Sequence, residues 1–301
     1  MTGATSQGTS LARNMRRWIW LPIALAAAAY YAAPKILRRT FSPPQRDATD
    51  TPAVLGLPEE QVWLRSVNGT RLHGWFIPVD EVAPAVIVLH GWGGNAALML
   101  PLAPHLHRAG FHALFLDARN HGISEHDSFT SLPRFAEDLD VAASWLRSHP
   151  VVTSIGVVGH SVGAGAAILS ASRSDQFDAV VSVSSLAHPG EMMQRQMSKL
   201  PKPLLASILG AVQRVIGYRF HEFAPRNRVS HVTAPLLLVH GGSDQVVPIE
   251  SLHELIAASR NAEVLVVPDG GHSDLRQFEP HVGVITGFLS RQLSASTAGQ
   301  E

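Results

Sequence analysis

The chain has 301 residues, no cysteine, and 24 basic against 24 acidic side chains. With 46% apolar residues it can bury one large core, while the absence of cysteine excludes a disulfide framework and thiolate chemistry. The charge is balanced and no basic stripe stands out in the body of the chain, which argues against a nucleic-acid partner.

Residues 1–17 form a tail that ends in Arg13, Arg16 and Arg17. Residues 18–33, WIWLPIALAAAAYYAA, carry no charged side chain, and Lys35, Arg38 and Arg39 follow. A helix over 18–37 would be about 30 Å long, the thickness of the bilayer hydrocarbon core. Trp18, Trp20, Tyr30 and Tyr31 sit towards its two ends, as interfacial aromatics do. This predicts a membrane anchor. A cleaved signal sequence has the same outline, basic residues before an apolar run, and an Ala-rich helix packed on the domain is a third reading. Similar basic flanks leave the orientation open. Residues 38–60 contain Pro43, Pro44, Pro52 and Pro58 and are expected to be a linker.

The main domain is expected over 61–294. Asn68-Gly69 between two alternating runs predicts a hairpin. Short apolar runs at 85–90, 112–117, 154–159, 179–184, 235–241 and 263–268 predict buried parallel strands. Helix-like segments at 95–109, 131–148, 161–172, 249–259 and 279–293 alternate with them. This alternation predicts an α/β fold, a mostly parallel twisted sheet of about eight strands with helices on both faces. Residues 185–234 interrupt it. Leu204, Leu205, Ile208, Leu209, Val212 and Ile216 fall there at helical spacing, and the segment is expected to be a small helical lid. The alternative is a longer connection packed on the body. Residues 295–301 are expected to fray.

Gly159-His160-Ser161-Val162-Gly163 follows a strand and opens a helix. In that context G-x-S-x-G predicts a sharp turn that presents the Ser161 hydroxyl at the carboxyl end of the sheet. A hydroxyl is a weak nucleophile and needs a histidine base oriented by a carboxylate. Asp244 and His272 fall on loops after later strands, on the same edge of the sheet as Ser161. Asp269 and Asp274 compete to orient His272, but a neighbour on the same loop seldom turns back onto the ring. His105 and His107, two apart on a helix, point in different directions and make a poor metal pair. His160 either lines the pocket or packs. His90-Gly91-Trp92-Gly93-Gly94-Asn95 lets the backbone approach a tetrahedral intermediate. The amides of Trp92 and Val162 are the expected oxyanion donors, and Trp92 is also a candidate wall of the acyl pocket.

The segments HGWGGN, DARNHGIS, GHSVGAG, HGGSDQVVP and GGHSD together resemble the α/β-hydrolase superfamily over residues 62–293. The stretch from Asp117 to Ser124 resembles the D-x-R-x-x-G-x-S turn of its esterase and lipase members, a structural element by that resemblance. With its apolar N-terminus the chain is similar to the membrane-anchored BEM46-like and serine-aminopeptidase-like hydrolases. The resemblance implies acyl transfer to water without a cofactor or metal. The expected substrate is an apolar acyl ester or thioester, or a lipid-like molecule. A peptidase or amidase, an acyltransferase, and a non-catalytic binding module of the same fold are the alternatives. A serine nucleophile argues against the haloalkane dehalogenases and epoxide hydrolases.

Overall fold

At Asn68-Gly69 the chain reverses as the dipeptide predicts. Gly69 takes φ 88°, and β1 (Glu60–Arg65) pairs antiparallel with β2 (Arg71–Ile77), Arg65 opposite Arg71. The computed structural model describes residues 35–46, 50–273 and 275–298.

The apolar runs become β3 (Ala83–Leu89), β4 (His112–Leu116), β5 (Val152–His160), β6 (Ala179–Val183), β7 (Leu236–Gly241) and β8 (Glu263–Val267). All eight strands form one sheet in the order β1-β2-β4-β3-β5-β6-β7-β8. β2 meets β4 antiparallel, and the sheet is parallel from β4 to β8. Alternate residues of one strand serve opposite cores. Ile87 and Leu89 join Leu139, Ala143 and Leu169 on one face, whereas Val86 and Val88 join Leu106, Phe115 and Leu289 on the other. Burial on both faces explains why β3 reads as a continuous apolar run. Each such side chain contributes about 1.5–3 kcal/mol.

The helices that pack on the sheet and beside it include α1 (Ala103–Arg108), α2 (Leu132–Arg147), α3 (Val162–Ala171), α4 (Pro189–Gln196), α5 (Lys202–Ile216), α6 (Glu250–Ala258) and α7 (Val282–Ala298). The helix expected over 95–109 divides at Pro101. Ala96–Leu102 winds as a 3-10 helix and α1 follows, because proline lacks the N–H an α-helix interior needs. At α2 the Ser131 hydroxyl accepts the Arg134 N–H and satisfies one of the free amides of the first turn. α7 runs on to Ala298, and residues 299–301 lie outside the described residues.

The anchor expected over 18–37 lies outside the described residues up to position 34, and residues 35–40 are helical. Among the described residues no helix is long and apolar enough to cross a membrane. The expected linker is fastened to the domain at several points. Thr130 N–H donates to the Phe41 carbonyl at 2.7 Å, Gln45 Nε2 to the Ser124 carbonyl at 2.6 Å, and Asn95 Nδ2 to the Arg46 carbonyl at 3.2 Å. Pro43 and Pro52 are buried. The strap thus attaches through two main-chain carbonyls and one side-chain donor.

Residues 185–234 form α4, α5 and the short turns Phe220–Phe223 and Pro225–Arg228. Leu209, Val212, Phe220 and Phe223 enter the core on the α2 and α3 face. The turn at Pro225–Arg228 packs against α3 and α6. These elements pack on the body of the domain.

Candidate active site

β5 ends at His160 and α3 begins at Val162, so Ser161 alone makes the turn, at φ 55° and ψ −115°. A non-glycine residue is strained there by about 1–3 kcal/mol. The surroundings hold it in place. Ser161 N–H donates to the Val183 carbonyl of β6 at 2.8 Å, and the Gly165 N–H closes the first turn of α3 onto the Ser161 carbonyl at 3.1 Å. A Cβ on Gly159 would lie 2.3 Å from the Gly163 carbonyl oxygen, and one on Gly163 would lie 2.5 Å from that of His90. Both glycines of the motif are therefore required by close backbone approach.

The carboxyl ends of β5, β7 and β8 bring the three predicted side chains together. Ser161 Oγ lies 2.9 Å from His272 Nε2, and His272 Nδ1 lies 2.8 Å from Asp244 Oδ2. Asp244 is fully buried as a side chain, and its Oδ1 accepts the Val246 and Val247 amides at 2.8 Å each. Burial would raise this carboxyl, but the hydrogen bond from His272 and the two amides outweigh it and hold Asp244 below the ordinary carboxylate value. An ionised Asp244 fixes the proton on Nδ1 and leaves the Nε2 lone pair facing the hydroxyl. Asp244 thus occupies the orienting position; Asp269 is exposed and Asp274 lies outside the described residues. His105 Nδ1 faces Arg108 at 3.2 Å.

The loop after β3 lies against the serine. A Cβ on Gly91 would sit 3.0 Å from Ser161 Cβ, so the backbone directly before Trp92 approaches the nucleophile closely. Val162 opens α3, where the first amides have no partner within the helix. The arrangement can accept a negative charge that develops beside Ser161 Oγ.

The Asp117–Ser124 turn, structural by its resemblance, supports the loop after β3. Gly93 N–H donates to His121 Nε2 at 3.0 Å, Ala96 N–H to Asp117 Oδ1 at 2.7 Å, and Ala118 N–H to His90 Nε2 at 3.2 Å. These bonds tie the glycine-rich loop to the turn. Burial and the neighbouring His90 push His121 down to about 3. It therefore stays neutral, with Nδ1–H donating to the Arg119 carbonyl at 2.9 Å. Arg119 is itself buried among Asp138, Glu137 and Asp127 at 2.6–3.1 Å.

A cavity of about 1170 Å³ opens over Ser161 and His272. Leu98, Leu102, Phe278, Val282 and Ile285 line it, together with Trp92. Trp92 packs edge-on against Phe41 of the strap, ring centres 6.0 Å apart. Arg46, Asp50, Val54 and Leu55 supply another part of the wall, whereas no residue of 185–234 does so.

A protein-family model described as the alpha/beta hydrolase fold matches residues 84–202. The uncharacterized protein YfhR of Escherichia coli K12 is 29% identical over 228 residues, covering 71% of this chain and 74% of YfhR. Human protein ABHD12B is 26% identical over 230 residues, 70% of this chain and 62% of that protein. Among solved structures, the Pyrococcus furiosus esterase Pf2001 superposes with a TM-score of 0.67 at 26% identity, over 83% of this chain and 99% of the esterase. The chain has the α/β-hydrolase fold, and the esterase neighbour supports a hydrolase.

Proposed function

We propose that this chain is a serine hydrolase that cleaves carboxylic esters or thioesters of apolar acyl groups. The observation that carries the reading is the unbroken relay Ser161–His272–Asp244, with contacts of 2.9 and 2.8 Å, at the floor of an apolar cavity. His272 Nε2 takes the hydroxyl proton as Ser161 Oγ bonds to the substrate carbonyl carbon. The oxyanion is held by the Trp92 and Val162 amides, each such donor contributing about 3 kcal/mol in comparable enzymes. The bond to the alcohol or thiol then breaks, and His272 returns the proton to the leaving group. Water repeats the sequence on the acyl-enzyme and frees the acid.

A fluorophosphonate probe should label the full chain and fail on Ser161→Ala. p-Nitrophenyl esters of increasing chain length should turn over, while aminoacyl nitroanilides should not. Turnover of the anilides alone would replace the ester reading with a peptidase. Product partition towards added alcohols would indicate an acyltransferase. The uncharged run at 18–33 between arginines and lysine supports membrane anchoring of the same chain. Resistance of the full chain to alkaline extraction from membranes tests it.

A further inference from the structure

The cavity mouth is unusually apolar for a surface in water. Val54 is 70% exposed, Leu98 48%, Leu55 44% and Trp92 40%, and all four line the cavity over Ser161. Contiguous apolar surface of this kind marks an interface. Its position in the chain says with what. The uncharged run ends at residue 33, residues 35–40 are helical, and Phe41 packs on Trp92 at the mouth. Six helical residues rise about 9 Å, close to the depth of the headgroup layer outside the hydrocarbon. A helix leaving the bilayer at Lys35 would therefore set the mouth at the lipid surface. Lys35, Arg38 and Arg39 are exposed on the helical segment that precedes Phe41, and anionic headgroups attract such cations by about 1 kcal/mol each.

We propose that the rim formed by Val54, Leu55, Trp92 and Leu98 is a bilayer-facing surface, and that the substrate is a membrane amphiphile whose acyl chain passes from lipid directly into the cavity. The proposal rests on the anchored ester hydrolase described above and adds the side of the domain that meets the membrane. The strap residues 50–55 and the loop after β3 form the two banks of this passage. An acyl chain that moves between them exchanges one apolar environment for another. The ester group, carried by a polar head, then reaches Ser161 from the headgroup side.

The absence of cysteine allows a direct test on the full chain. Nitroxide labels are placed on Val54→Cys, Leu98→Cys and Val264→Cys, the last an exposed position on β8 outside the cavity lining. The proteins are reconstituted in vesicles of phosphatidylcholine and phosphatidylglycerol. Labels at 54 and 98 should collide with oxygen and be shielded from a water-soluble nickel chelate, and the label at 264 should show the reverse. Labels at 54 and 98 that match 264 would overturn the proposal. If the chain nevertheless resists alkaline extraction, the anchor stands and only the orientation falls. A second measurement concerns the substrate. Leu98→Asp should lower the ratio of vesicle-borne ester turnover to soluble short-chain ester turnover about tenfold, the equivalent of one lost apolar contact. An unchanged ratio would refute passage from lipid. Loss of fluorophosphonate labelling in the wild-type chain would instead sink the hydrolase reading.

Discussion

His160 precedes the nucleophile in the chain, yet its Nε2 lies 2.7 Å from the main-chain carbonyl of His272, with the two rings 5.0 Å apart. An N–H on Nε2 thus tethers the loop that carries the base. Burial drives His160 down to about 4, so the ring is neutral and the tether holds across the range in which an ordinary histidine titrates. His160→Phe should lower kcat about tenfold, the net worth of one buried hydrogen bond, with a smaller change in KM. His160→Gln, which keeps an N–H, should recover part of it. Steady-state kinetics on a soluble ester decides the matter, and a wild-type kcat in the Phe variant would show that the ring merely packs.

Ser161 offers a separation of chemistry from strain. Ser161→Ala removes the oxygen but keeps the side chain at φ 55°. Ser161→Gly removes the strain of about 1–3 kcal/mol and loses about 0.5–1 kcal/mol through the more flexible unfolded chain. Both variants should be inactive. The glycine variant should melt about 2–4 °C above the alanine one, the shift that corresponds to 1 kcal/mol in a domain of this size. Equal melting temperatures would mean that the turn holds no strain.

Much of the sheet and the relay could be read from the sequence, because both follow local rules. Strands buried on both faces leave uninterrupted apolar runs, as at Val86–Leu89, and the Gly159 and Gly163 spacing records a backbone collision. Asp244 and His272 could be placed because each directly follows such a run. The packing of the strap and of the insertion follows no such local rule. Proline and acidic residues at 43–58 have the composition of a linker, and nothing local shows that the Phe41 and Arg46 carbonyls accept from Thr130 and Asn95 or that Gln45 donates to the Ser124 carbonyl. The helical spacing from Leu204 to Ile216 showed an apolar face on α5 but not which surface would cover it. His121 went unassigned because its partner, the Gly93 amide, is remote in sequence and carries no side-chain signal.

Two glycines should respond oppositely to alanine. At Gly122 the new Cβ would fall 2.1 Å from Asp117 Cγ, on a backbone at φ 50°. Asp117 cannot yield freely, since it is buried and accepts the Ala96 amide while contacting His73 at 2.9 Å. Gly122→Ala should lose about 2–4 kcal/mol, left-handed strain adding to the broken bonds, and fluorophosphonate labelling should slow as the loop after β3 shifts. Gly210, inside α5, has nothing within 4 Å of its added Cβ. Gly210→Ala should gain about 0.5–1 kcal/mol by helix propensity. Urea unfolding of the two variants beside the wild type provides the comparison.

Acid should loosen the loop after β3, and His121 is where it acts. Its ring lies 4.9 Å from that of His90, and its folded pKa is about 3 against 6.5 for the free side chain. Between those values the unfolded chain holds a proton that the native ring refuses. Stability is therefore complete above about 6.5 and falls as the pH drops towards 3, by at most about 1.4 kcal/mol per unit for this one group. Asp244 acts in a different window: its folded value lies below 3.8, so its contribution is kept above that value and lost only on stronger acidification. His121→Gln can still accept the Gly93 N–H but cannot titrate. Between pH 7 and 5 its stability should fall less steeply than that of the wild type, by about one proton in the slope. Part of the decline should persist, because burial also lowers His90 and His160. Identical slopes in urea titrations across that range would show that His121 is already protonated in the native state, and would remove it as the support of Gly93.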